Sequence, residues 1–191
     1  MDWDSFRIYL RHAFRHLPWE LWLVIAAVAL IVSLAIKKMK RYPVNASIAL
    51  GFTVFFGLYM LGAMVLKRIG VQIEQHPEPN LVAEYHRLFH GDPEHWAFMF
   101  FNVLVFIPIG FALSVFLSGA KRIGAKQNLG CVALTAFLLS LSIESLQWIL
   151  RVGLFELTDM LLNTLGAFLG AVLAIAIRTL MGVSPQKNSL C

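Results

Sequence analysis

The chain alternates between long apolar runs and short polar joints. The apolar runs cover roughly residues 20–36, 47–66, 97–117, 129–149 and 159–177. Each holds about 17–21 residues, which as a helix matches a hydrocarbon core of about 30 Å. None shows the alternation of a barrel strand, and helices satisfy their own backbone groups where no water can reach them. The pattern therefore predicts an all-α integral membrane protein with five transmembrane helices. Ahead of them, Trp3, Phe6, Leu10, Ala13, Phe14 and Leu17 recur at helical spacing while Arg7, Arg11 and Arg15 line another face. This lead, residues 1–19, reads as an interfacial amphipathic helix lying flat before Pro18 opens the first span. The expected organisation is that lead, a two-span scaffold over 20–66, an outer loop over 67–96, a three-span core over 97–181 and a polar tail over 182–191. The first span runs into Lys37 and Lys38 without a cleavage site, so it does not read as a signal peptide.

Composition agrees with the pattern. The 191 residues are 59% hydrophobic and 14% charged, more apolar surface than a soluble domain of this length can bury. The net charge of +5 by itself would suit nucleic acid. The basic residues, however, sit at the ends of apolar runs, where they meet lipid headgroups, so membrane lipids are the expected partners and nucleic acid is not. Cys131 opens a span and Cys191 ends the chain, and the two read as unpaired thiols.

Charge also suggests an orientation. Five spans place seven basic residues on the side of the N-terminal lead and nine on the other, a weak positive-inside signal. All eleven acids and all six histidines fall on the first side. The expectation is an N-terminus outside and a C-terminus in the cytoplasm, against which the three arginines of the lead count.

The last three spans carry the polar positions. On the fourth, Ser140, Glu144, Gln147 and Arg151 are spaced four, three and four apart, which puts them on one helical stripe. On the fifth, Asp159, Asn163, Gly166 and Gly170 repeat that spacing. The third adds Asn102 near its start, then Pro108 and Gly110 within the membrane. Up-and-down topology places Asn102, Glu144, Gln147, Arg151, Asp159 and Asn163 in the same half of the bilayer. A charge at the centre of a span costs on the order of 2.5–3.5 kcal/mol, so Glu144 needs partners, with Arg151 and the amides as candidates. Two readings stand open at this point. One is a polar clasp locking three helices, with Gly166 and Gly170 permitting close approach. The other is a site for a polar headgroup, an ion or a proton. Pro108 is expected to kink its span and free the carbonyl of Leu104.

The outer loop offers His86, His90 and His95, with Asp92 and Glu94 nearby. His86 and His90 stand four apart, a workable ligand spacing on a helix, but no HExxH or cysteine pair accompanies them. A solvated polar loop is the expected reading, with neither metal nor cofactor. P-loop, nucleophile-elbow and dinucleotide fingerprints are lacking from the sequence.

The same positions resemble the signatures of the VanZ-like membrane proteins. Asn102-Val-Leu-Val-Phe-Ile-Pro-Ile-Gly110 is similar to the family's N-x-x-x-F-x-P-x-G. Glu144-Ser-Leu-Gln147, then Arg151, Asp159 and Asn163-Thr-Leu-Gly166 with Gly170, resemble its second motif. Together they span about 70 residues of the C-terminal part. The resemblance implies a role in the bacterial plasma membrane and cell envelope, and the name-giving member is associated with resistance to the glycopeptide teicoplanin. It implies functional weight on Asn102, Glu144, Gln147, Arg151, Asp159 and Asn163. The leading expectation is a non-enzymatic protein whose outward polar pocket takes a lipid-linked cell-wall precursor, a lipoglycopeptide antibiotic or a similar amphiphile. Alternatives are an intramembrane enzyme with Glu144 and Asp159 as acid and base, and a small transporter or proton relay, for which oligomerisation would matter.

Overall fold

The computed structural model describes residues 19–38, 43–65, 93–120 and 123–182. The lead over 1–18, most of the outer loop and the tail from residue 183 lie outside the described residues, and with them the amphipathic helix expected there. The described residues form five helices: α1 (Trp19–Lys38), α2 (Val44–Met64), α3 (Pro93–Ala120), α4 (Ala125–Ile149) and α5 (Leu157–Leu180). Four of them, α2 to α5, are long and apolar enough to cross a membrane. At 20 residues, α1 rises about 30 Å.

The helices outrun the apolar runs at several ends, for local reasons. Helix α3 starts at Pro93, a residue pre-set for the first helical turn because its missing N–H is not needed there. Helix α2 begins directly after Pro43, whose extended backbone (φ −65°, ψ 154°) serves as its N-cap. Helix α4 recruits the polar stretch Lys126, Gln127 and Asn128 into its first turn.

Side-chain contacts fix an up-and-down arrangement. At one end, Trp22 near the start of α1 stacks on Tyr59 near the end of α2, with ring centroids 4.5 Å apart. At the opposite end, the Ser33 hydroxyl donates to the Ser47 carbonyl at 2.7 Å, and Gly119 late in α3 lies against Ala46 and Pro43. The bundle centre is apolar: Phe106, Val132, Ile143, Ala167 and Ala171 are fully buried. Outside it the polarity is reversed relative to a soluble protein. Leu23, Leu30, Ile31, Ile48, Leu134, Leu161 and Leu173 are exposed, and only 28–39% of each spanning window is buried within the protein. So much exposed aliphatic surface is stable only against lipid.

The closest packing joins α3 to α5, and glycines make it. A Cβ at Gly166 would overlap the Val103 carbonyl, one at Gly170 the Ile107 carbonyl, and one at Gly110 the Ala167 backbone. With no hydrophobic drive between helices in lipid, such close approach is what van der Waals association requires. Helix α3 continues through Pro108, which supplies no N–H for the Leu104 carbonyl.

Candidate functional site

Three helices bring the polar side chains to one end of the bundle. Asn102 stands early in α3, Glu144 and Gln147 late in α4, and Asp159 and Asn163 early in α5. The stripes expected on α4 and α5 face inward: Ser140, Glu144, Gln147 and Asn163 are all at most 4% exposed. Asn102 and Asp159 are partly exposed, nearer the end of the bundle.

Each inward group is held by a named partner. The Asn102 Nδ2 donates to Asp159 Oδ1 at 2.6 Å, joining α3 to α5. Glu144 Oε2 accepts the backbone N–H of Glu156 at 2.9 Å. Glu156 is the N-cap of α5 and has no side-chain cap of its own. Glu144 thus does from a neighbouring helix what the acid of a capping box does locally, and sets its carboxylate at the positive end of the α5 dipole. The Gln147 Nε2 donates at 2.9 Å to the Met64 carbonyl, one of the acceptors left over at the end of α2. One turn below Asp159, the Asn163 Nδ2 donates to the Ser140 hydroxyl at 2.8 Å, while its Oδ1 is buried without a hydrogen-bond partner. Interhelical bonds of this kind average about 0.6 kcal/mol each in a membrane, so the set contributes roughly 2–3 kcal/mol to holding α2, α3, α4 and α5 in register.

Arg151 does not join the buried set. Helix α4 ends at Ile149, and the chain turns before Arg151, so the four-residue step from Gln147 leaves the helical stripe. The Arg151 N–H bonds the Trp148 carbonyl at 3.1 Å and the Val152 N–H bonds the Gln147 carbonyl at 2.9 Å. Those two bonds make a Schellman cap, which needs a left-handed residue in Arg151's position. Arg151 has φ +56°, and its side chain is exposed. For a residue with a Cβ this conformation costs about 1–2 kcal/mol. The next helix solves the same problem with glycine: α5 ends on Gly182 at φ +69°.

A second polar locus, absent from the sequence reading, lies at the opposite end. The Asn128 Nδ2 donates to the Ser114 carbonyl at 3.0 Å and the Ser118 hydroxyl at 2.8 Å, and all three residues are buried. The available signal was the four-residue spacing of Ser114 and Ser118 late in α3, opposite an asparagine entering α4. Between the two loci, Ile109, Leu113, Val132, Ala136, Ala167 and Ala171 are packed at no more than 8% exposure. Ser140 and Asn128 are separated by about 18 Å along α4.

His86 and His90 lie outside the described residues, as does the side chain of His95. Among the described residues no cluster of three His, Cys, Asp or Glu side chains is placed to hold a metal. Cys131 is a free thiol.

The chain is 39% identical over 69 residues to Protein VanZ of Enterococcus faecium. That match takes in 36% of this chain and 38% of the relative, so well under half of the relative's length is spanned. No solved structure matches. The family model described as VanZ/LLP1 matches residues 44–178, which run from the start of α2 almost to the end of α5 and include every residue of both polar loci. With more than two thirds of its length inside that model, the chain belongs to the VanZ/LLP1 family.

Proposed function

We propose that this protein lowers the susceptibility of a bacterium to teicoplanin-type glycopeptides, through a one-sided polar site that takes a lipid-linked or lipophilic amphiphile at the outer face of the plasma membrane. The observation that carries this reading is the position of Asp159. It is partly exposed and clamped by Asn102, one turn above the buried Asn163 and level with the buried Glu144. A rigid, half-open acid at the membrane boundary is suited to receiving a polar head while the ligand's chain remains in lipid. Glu144, by contrast, is committed to the N-terminus of α5. The apolar layer beneath the cluster weighs against a proton relay through the bundle, because it separates the two polar loci by most of the hydrocarbon thickness. Family membership supports an envelope role, and the resistance itself rests on the proposal.

The test is expression in a glycopeptide-susceptible bacterium, with teicoplanin compared against vancomycin. The expected result is a raised inhibitory concentration for teicoplanin that is lost in Asp159→Asn while the protein remains membrane-inserted at normal abundance. If neither the intact protein nor Glu144→Gln and Asp159→Asn variants change sensitivity, the resistance reading fails.

A further inference from the structure

We propose that Arg151 is the anion-recognising residue of this site, and that it binds the phosphate of an amphiphile lying at the membrane boundary. The inference rests on the reading that this end of the bundle is a ligand site, and it assigns the ligand a chemistry. Three observations lead to it.

The first is conformational. Arg151 occupies the left-handed position of the α4 cap at φ +56°, where glycine would fit without strain and where the same chain uses Gly182 at the end of α5. The turn geometry is satisfied by backbone bonds alone, from the Arg151 and Val152 N–H groups. The cap therefore gives no reason for an arginine side chain.

The second is placement. The guanidinium is carried by an exposed residue that follows directly on Trp148, Ile149 and Leu150, which are 49%, 65% and 47% exposed. At about 100° per residue these three side chains ring the last turn of α4, so an apolar girdle lies directly beneath a cation at the end of a spanning helix. A lipid beside that girdle would have its chain against apolar side chains and its anionic head at the level of Arg151.

The third is the state of the acids. Glu144 is bonded to the Glu156 N–H and Asp159 to the Asn102 amide. The first bond ties α4 to the start of α5 across the 150–156 turn and the second ties α5 to α3, which holds the Arg151 backbone within a fixed frame. A planar fork of five donors, carried on this fixed turn, suits the paired oxygens of a phosphate and supplies geometry that a lysine ammonium lacks.

The phosphate has two sources with shared chemistry, a lipid phosphate and free inorganic phosphate, and binding experiments separate them. The full chain, purified in detergent, is titrated with a polyprenyl phosphate by native mass spectrometry, with inorganic phosphate as competitor. Thermal unfolding is followed in parallel. Arg151→Gly is expected to raise the unfolding temperature by about 2–4 °C through relief of the left-handed strain, while weakening polyprenyl phosphate binding about tenfold or more. Arg151→Lys is expected to bind between the two. If millimolar inorganic phosphate displaces the lipid from the intact protein, the site recognises phosphate from either source. If it does not, the lipid chain is part of recognition. Two results overturn the proposal: Arg151→Gly binding polyprenyl phosphate as well as the intact protein, or Arg151→Gly unfolding at a lower temperature, which would make the arginine part of the cap. Because both readouts are independent of antibiotic sensitivity, failure here leaves the resistance reading to its own test.

Discussion

Replacing Gly166 with alanine tests whether the α3–α5 crossing holds the polar site together. The added Cβ would overlap the Val103 carbonyl, and the atoms it meets are backbone, so no rotamer change relieves the clash. Restoring ordinary contact requires the helices to part by about 1 Å at this level. Val103 follows Asn102 in sequence, and Gly166 lies one turn beyond Asn163. A parting of that size therefore stretches the Asn102–Asp159 bond, now 2.6 Å, past useful length. Overpacking of this kind costs about 1–3 kcal/mol, and the broken bond adds about 0.6–1.7 kcal/mol. Alanine's better helix propensity returns up to about 1 kcal/mol. The net loss is about 1–4 kcal/mol, or a fall in unfolding temperature of roughly 3–12 °C for a chain of this size. Gly130 supplies the control, since it is also helical and a Cβ there meets nothing within 4 Å. Gly130→Ala should leave stability unchanged or raise it slightly. The assay is thermal unfolding of both variants in the same detergent. Equal unfolding temperatures for the two would refute the reasoning, because propensity alone would then govern both glycines.

Three further outcomes follow from the described contacts. Glu144→Gln keeps an acceptor for the Glu156 N–H and should unfold within about 1 kcal/mol of the parent, whereas Glu144→Leu orphans that N–H at a cost of about 1–3 kcal/mol; denaturation in mixed micelles separates them. Asn128→Leu removes two interhelical bonds far from the proposed site, and should lower stability by about 1 kcal/mol while leaving ligand binding and any resistance intact. In a background with both Cys131 and Cys191 replaced by serine, a thiol placed at the exposed Arg151 position should react in whole cells with a membrane-impermeant reagent, and one at the exposed Lys126 position only after permeabilisation; the opposite result would reverse the orientation.

How much of this was legible in the sequence depended on whether the determinant is periodic or local. The five helices follow from apolar length, and the inward faces of α4 and α5 follow from their stripes, because 3.6-residue periodicity survives any packing detail. Arg151 was misplaced because the stripe was extended one turn past the helix end. The usual stop signal, a glycine in the left-handed position, is missing there, so the sequence offered no mark for the cap. The Asn128 locus went unread for the opposite reason. Its residues are individually ordinary, and only the antiparallel meeting of the start of α4 with the end of α3 brings them together.

The two acids that stood out together in the sequence separate in the structure into different tasks. Glu144 is buried, bonded to the first turn of α5, and sits where the helix dipole stabilises its charge. Removing it should therefore register first as loss of structure. Asp159 is partly exposed and clamped on one oxygen by an amide from α3, so its removal should register first as loss of ligand. The clasp and pocket readings are thus not rivals. The clasp consists of Glu144, Gln147, Asn163 with Ser140, and the glycine crossing, all buried or at most a few per cent exposed. The pocket edge, on the proposed function, would consist of Asn102, Asp159 and the exposed Arg151. A membrane helix gains little from burying a carboxylate unless something else depends on the geometry it fixes. In this protein that dependent geometry is the short turn between α4 and α5, which sets a strained arginine at the lipid boundary on one side and Asp159 on the other.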